Sequence, residues 1–242
     1  MTRAYHVAHP SVNVLPELAD RTLEFLAMPA TTEELLELHA RIRACVVCPL
    51  HITRTQAVPG YGPVTARIMA VGEAPGETED REGRPFVGAA GKLLTELLES
   101  VGLNRRDIYI TNVLKCRPPG NRDPEQSEVE ACSHFLDEQI EMLHPEVILV
   151  LGRHALARLL PGAGSITRLH GERVRRGDRV YVPLYHPAAA LYNASLLGTL
   201  RDDMARVRSY LDQEDARRVE VRGTPVPVLP EAANLDQLAL FE

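Results

Sequence analysis

Four short apolar runs alternate with stretches of helical period along this 242-residue chain, and that alternation limits the folds open to it. The runs are 67–72 (RIMAVG), 107–114 (DIYITNVL), 146–152 (EVILVLG) and 179–185 (RVYVPLY). They are apolar almost throughout rather than at every second residue, as expected of strands buried on both faces. Between them Leu93, Leu94, Leu97, Leu98 and Val101 form one stripe at helical spacing. Thr31-x-x-Glu34 is a capping box that opens a helix over 31–45. Asp123-Pro124 caps a helix through Leu143, residues 152–160 suit a short one, and Pro187 opens a last helix toward Leu211. The alternation predicts an α/β fold, a parallel sheet of four strands with helices on both faces.

In such sheets a ligand lies beyond the carboxyl ends of the strands, and the polar motifs of the chain fall there. Gly72-Glu-Ala-Pro-Gly76 follows the first run and can bring backbone N–H groups close to a ligand. It is neither GxGxxG nor a Walker sequence, so a nucleotide cofactor is not indicated. Glu73, Glu77, Glu79 and Asp80 crowd this loop. Phe86, flanked by Pro85 and Gly88, offers a flat stacking face or a core side chain. Asn112 sits in an otherwise apolar strand, where an unpaired amide is costly. It is a structural hydrogen-bonder or a reader of a planar polar ligand. His186-Pro187 lies at a strand end and a helix start, a place suited to stabilising negative charge.

The chain has four cysteines. Cys45-x-x-Cys48 is a tight pair, while 15 residues separate Cys116 from Cys132. Four thiols with none left over suit one tetrahedral or cluster site. A zinc ribbon would have a second tight knuckle, which is missing. Disulfides are the alternative, but no signal pattern opens the chain and no apolar run approaches membrane-spanning length. A soluble, cytoplasmic protein with reduced thiols is expected.

The formal charge of −6 is unevenly spread. Residues 213–242 carry three Arg against six acids, whereas 165–179 carries five Arg against two. Arg173, Arg175 and Arg176 are therefore candidates for contact with phosphates, or simply part of a solvated hairpin.

The combination C-x-x-C, GEAPGETED, GRPFVGAAGKLL, TNVLKCRPPGNRDP, a later Cys and YHPAAALY resembles the family 4 uracil-DNA glycosylases, the iron–sulfur branch found in bacteria and archaea. The resemblance spans about residues 31–212, with 1–30 as an extension. It implies a three-layer α/β/α sandwich around a four-stranded parallel sheet and a [4Fe–4S] cluster on Cys45, Cys48, Cys116 and Cys132. It further implies release of uracil from DNA after extrusion of the nucleotide. Phe86 would stack on the flipped ring, Asn112 would read its imide edge, and Glu79 would crowd the C5 position against thymine. His186 and the backbone of the Glu73–Ala74 turn would stabilise charge on the departing base.

Other glycosylase branches carry an Asp where this chain has Ala74, which makes Glu73 the nearest carboxylate and leaves it base, electrostatic stabiliser or loop anchor. Leu191, just past His186-Pro187, is a candidate for insertion into the base stack. A monomer is expected. The rival readings are a non-catalytic iron–sulfur DNA-binding module, a zinc-stabilised enzyme on another nucleobase, and a glycosylase with a wider range of deaminated bases.

Beyond Leu211 the stretch VRGTPVPVLPEAANLD has no folding period and reads as a flexible tail over 213–242. It finishes in Gln237-Leu238-Ala239-Leu240-Phe241, which resembles the Gln-Leu-x-Leu-Phe peptides that dock on the bacterial DNA sliding clamp.

Overall fold

The computed structural model describes residues 30–223. Five strands form one sheet: β1 (Ile68–Gly72), β2 (Ile108–Asn112), β3 (Val147–Leu151), β4 (Val174–Arg176) and β5 (Arg179–Leu184). Their order is β2-β1-β3-β5-β4. The four expected strands are all present and mutually parallel, in register from Gly72↔Asn112 to Leu151↔Leu184. The fifth, β4, is a correction. It is three residues long and antiparallel to β5, with Arg176 opposite Arg179. Its polar sequence carries no strand period, because only one edge of it is paired and its arginines face solvent.

The helices are α1 (Thr32–Ala44), α2 (Leu50–Thr53), α3 (Glu77–Glu82), α4 (Ala89–Glu99), α5 (Gln126–Leu143), α6 (Arg153–Leu159), α7 (Ile166–Leu169), α8 (Pro187–Tyr192) and α9 (Ser195–Gly223). The capping box forms at Thr31, whose side chain accepts the Glu34 N–H while Glu34 reaches back to the Thr31 N–H. The start expected at Asp123-Pro124 lies slightly later, where Glu125 and Glu128 make a reciprocal cap for α5.

The helix expected to run unbroken from Pro187 is two helices. Asn193 leaves helical geometry and its side chain accepts the Ser195 N–H, starting α9 afresh. That helix also continues past Leu211 to Gly223 instead of giving way to a tail at 213. Arg67 bridges to Asp215 at 2.5 Å and Arg218 to Glu146 at 2.9 Å, which ties the added turns to the body of the domain.

Alternation along each strand divides the core into two layers. Ala70, Ile110 and Leu149 face Leu94, Leu97 and Leu98 of α4 and Leu200, Met204 and Val207 of α9. Met69, Val71, Ile148 and Val150 face Leu136 and Ile140 of α5 and Ala155 and Leu156 of α6. A third cluster joins Leu38, Ile42, Leu50, Leu114 and Phe135 around Cys116 and Cys132. Among the described residues no helix is long and apolar enough to cross a membrane. Gln237, Leu238, Leu240 and Phe241 lie outside the described residues, as does the extension before residue 30.

Candidate active site

Beyond the carboxyl ends of β1, β2 and β5 lies a cleft of about 400 Å³, lined by Glu73, Ala74, Glu79, Phe86, Asn112 and His186 together with Arg122 and Tyr192. Six residues singled out from the sequence thus meet in one place, although they come from four separate segments. The parallel register explains the convergence, since it stacks Gly72 beside Asn112 and brings β5 to its end just before His186.

Asn112 is the last residue of β2 and only 2 % exposed. Its side-chain Oδ1 is buried and has no hydrogen-bond partner among the described residues. An amide oxygen held this way is an acceptor awaiting a donor. A Cβ on Gly72 would come within 2.4 Å of that oxygen and within 2.6 Å of the Phe86 ring. Only glycine leaves room for the two groups to stand side by side.

Phe86 is held in an unusual backbone conformation, with φ 52°. Two anchors maintain it. Glu79 Oε1 accepts the N–H groups of Val87 at 2.9 Å and Gly88 at 2.8 Å, and Arg105 donates to the carbonyl of Pro85 at 2.9 Å. Glu79 is therefore a loop anchor as well as a wall of the cleft. The rings of Phe86 and His186 lie 5.5 Å apart, inclined by 28°.

His186 accepts the Ala188 N–H at Nδ1, 3.1 Å away, as the N-cap of α8. Burial pulls its pKa down to about 4, with the charge of Glu79 opposing weakly. The ring is therefore neutral near pH 7, and because Nδ1 accepts, Nε2 carries the hydrogen. Gly152, at φ 91°, lies where a Cβ would meet His186 Cβ at 3.0 Å, so the end of β3 packs directly against this histidine.

Glu73 has its pKa raised, chiefly by burial and also by Asp123, while His154 and Arg153 oppose the rise. The sequence marks Asp123 only as a helix cap and does not mark His154. His154 follows Gly152 at the end of β3, so the carboxyl-end rule was the signal available for it. Arg122, which pairs with the buried Glu128 at 2.6 Å, has no comparable sequence signal.

The structure does not bring every candidate to the cleft. Leu191 is half exposed, but the cleft is lined by its neighbour Tyr192, which is 93 % exposed. Ala188 and Tyr192 lie four residues apart on one face of α8, and that spacing could have identified Tyr192. Arg173, Arg175 and Arg176 sit around β4, which pairs with the amino end of β5, opposite the cleft. Arg175 bridges to Glu214 at 2.5 Å, Arg173 bonds Gln213 at 2.9 Å with its guanidinium over the Tyr210 ring, and Arg176 approaches only a carbonyl. Two of the three arginines thus dock the hairpin on α9.

Cys45, Cys48, Cys116 and Cys132 converge on a second cavity, walled by Ile42, Val47 and Phe135. All four are free thiols, so disulfides do not account for them. Burial pushes the Cys116 thiol pKa up, and Arg54, donating to its Sγ at 3.0 Å, opposes that rise. Four sulfur donors around one apolar pocket fit a metal–sulfur group.

Residues 59–211 match the model of the uracil DNA glycosylase superfamily. A type-4 uracil-DNA glycosylase of Sulfurisphaera tokodaii is 47 % identical over 185 residues, 73 % of this chain and 84 % of that protein. One of Thermotoga maritima is 46 % identical over 189 residues, 76 % of this chain and 98 % of its own length. A type-5 uracil-DNA glycosylase of Pyrobaculum aerophilum is 37 % identical over 158 residues, 58 % of this chain and 69 % of that protein. With more than half its length matched and its cleft built on the segments that match, the chain belongs to the uracil DNA glycosylase superfamily, on the type-4 branch.

Proposed function

We propose that this protein removes uracil from DNA by hydrolysing the bond between the base and its deoxyribose, leaving an abasic site. The observation that carries this reading is the unpartnered Asn112 Oδ1 beside the Phe86 ring. Uracil presents an N3–H donor next to an O4 acceptor. Asn112 accepts from N3–H through Oδ1 and donates to O4 through its amide nitrogen. Cytosine presents the opposite pattern, so a fixed amide rejects it. Phe86 stacks on the extruded base, worth about 1–3 kcal/mol for contacts of this kind. Glu79, pinned by two backbone N–H groups, cannot swing aside to admit a methyl at C5.

In the reaction the C1′–N1 bond breaks with its electron pair going to uracil, and water adds to C1′. His186 meets the charge that develops on O2 with its Nε2–H, as a neutral donor that strengthens its bond while the base leaves. Glu73 lines the cleft and, with Glu79 committed to the Phe86 loop, is the carboxylate that takes the proton of the water. Tyr192, exposed at the rim, joins Leu191 as a candidate for filling the space vacated by the base.

A [4Fe–4S] cluster held by Cys45, Cys48, Cys116 and Cys132 supplies, when bound, a covalent tie between the segment after α1 and the segment that follows Asn112. The partner is uracil-containing DNA. Residues 237–241 are further proposed to dock on the sliding clamp. Reduced thiols and a DNA substrate suit the cytoplasm.

The test is release of free uracil and alkali-sensitive scission on matched oligonucleotides carrying U, T, C or hypoxanthine. Cleavage at U alone supports the reading. Cleavage also at hypoxanthine favours the wider range of bases, and tight DNA binding without any release favours the non-catalytic module.

A further inference from the structure

The six residues of α3, Glu-Thr-Glu-Asp-Arg-Glu over 77–82, include no apolar side chain. Burial of an apolar face, the usual hold on a short helix, is therefore not open to it. Its N-cap, Gly76, offers no side-chain bond, and its one buried residue is Asp80, 3 % exposed. Both carboxyl oxygens of Asp80 lie 3.0 Å from a single donor, the backbone N–H of Thr55. The next residue, Gln56, donates through Nε2 to the carbonyl of Arg81 at 2.6 Å. Gly83, which ends the helix at φ 68°, packs on the same side chain, since a Cβ there would come within 2.6 Å of Gln56 Oε1. Arg117 reaches Glu77 only at 3.8 Å, with Glu77 in solvent, and holds the helix weakly. Two consecutive residues thus secure α3.

This helix carries Glu79, whose Oε1 accepts the N–H groups of Val87 and Gly88 on either side of the strained Phe86 loop. Thr55 and Gln56 follow Arg54, which donates to Cys116 Sγ at 3.0 Å and to the Arg43 carbonyl at 2.9 Å beside the cysteine cavity. We propose that Asp80, seconded by Gln56, is a positioning residue of the uracil-excision site. It sets where α3 stands, hence where Glu79 holds the Phe86 loop, and so ties the stacking ring to the segment that carries Cys45 and Cys48. This rests on the uracil-excision reading given above and adds to it the residue that places its stacking ring. Asp80 is not among the residues that line the cleft, so it acts through Glu79 rather than on the base. The two are neighbours on one helical turn, and a shift of α3 displaces both.

The experiment compares the full-length holoenzyme with Asp80→Ala, Asp80→Asn, Gln56→Ala, Phe86→Ala and double variants that join Asp80→Ala or Gln56→Ala to Phe86→Ala. Single-turnover uracil release, iron content and backbone hydrogen exchange are measured on each. Asp80→Ala is expected to slow release about tenfold, within the range for loss of one base–aromatic stack, and to speed exchange over 83–91 about tenfold. Exchange over β3 should not change. Asp80→Asn, which keeps an oxygen for the Thr55 N–H, should recover most of the rate. Gln56→Ala, at an exposed position, should show the same changes at about threefold, the scale of one neutral hydrogen bond, and carries the test where Asp80→Ala fails to fold. Either substitution should add little once Phe86 is Ala, because the ring it places is gone. An undiminished effect in the Phe86→Ala background, a rate loss that only follows iron loss, or unchanged exchange over 83–91 in both single variants would overturn the proposal. A wild-type protein that releases no uracil, with the exchange differences intact, would overturn the uracil-excision reading alone.

Discussion

The buried ammonium of Lys115 donates a 2.7 Å hydrogen bond to the backbone carbonyl of Asn112, three residues before it. Lys115 is 1 % exposed, and its two other bonds, also 2.7 Å, go to Thr111 Oγ1 and Gln139 Oε1. Among the described residues no carboxylate pairs with it, and burial pulls its pKa down to about 7. Gln139 and Thr111 also bond the Pro59 carbonyl, and Gln139 and His39 meet the Tyr109 hydroxyl. This closed network lies between the cysteine cavity, which Lys115 also lines, and Asn112 at the edge of the cleft.

Lys115→Met keeps the length of the side chain and removes all three donors. Uracil release is expected to fall about tenfold, the scale of one hydrogen bond from a charged donor, with iron content retained. Single-turnover rates and iron analysis on the same preparation check this. A rate loss that only tracks iron loss would make Lys115 a cluster residue and nothing more.

Asn112→Asp changes the donor–acceptor pattern facing the base. Release of uracil should drop on the order of 100-fold or more, and cytosine should become a detectable substrate. Competing oligonucleotides with U or C at one position measure both effects. Unaltered uracil turnover would remove Asn112 from base reading.

Cys132→Ser should lose iron and thermal stability together, because a cluster on the four cysteines ties the segment after α1 to α5. Thermal midpoint and absorbance near roughly 400 nm are the readouts. An unchanged midpoint in protein without iron would show that the cysteines do not brace the fold.

Acid should destabilise the fold through His39 and His186. Burial holds both pKa values near 4, below the ordinary value for histidine. The unfolded chain therefore binds more protons between about pH 6.5 and pH 4, and stability falls as pH drops through that window. Each histidine contributes on the order of 3 kcal/mol at most. His39→Gln, which keeps a partner for the Tyr109 hydroxyl, should flatten the slope of the denaturation midpoint against pH by about half. A slope equal to wild type would contradict the burial argument for His39.

Replacing Arg173 and Arg175 by Ala should leave the salt dependence of DNA binding unchanged, since both lie by the amino end of β5, opposite the cleft. Replacing Arg122, on the cleft, should flatten that dependence by about one counterion. DNA titrations at several salt concentrations decide between the two regions. A flattened slope for the Arg173/Arg175 variant would restore the hairpin as a DNA contact.

The amino-acid sequence alone determined the four parallel strands, the capping box at Thr31 and the identity of Glu73, Phe86, Asn112 and His186, because each is local. A strand buried on both faces must be a continuous apolar run, and a polar residue at its carboxyl end is conspicuous there. What only the tertiary structure decided is non-local. The arginines of 165–179 read as a basic patch until α9, some 40 residues later, brings Glu214 against them. Leu191 and Tyr192 are equivalent in sequence until the rotation of α8 turns Tyr192 onto the cleft. His154 next to Glu73 depends on strand order, which places β1 between β2 and β3 and so brings three loops to one point. Burial and pairing are properties of that packing, and they decide which charges are free to act.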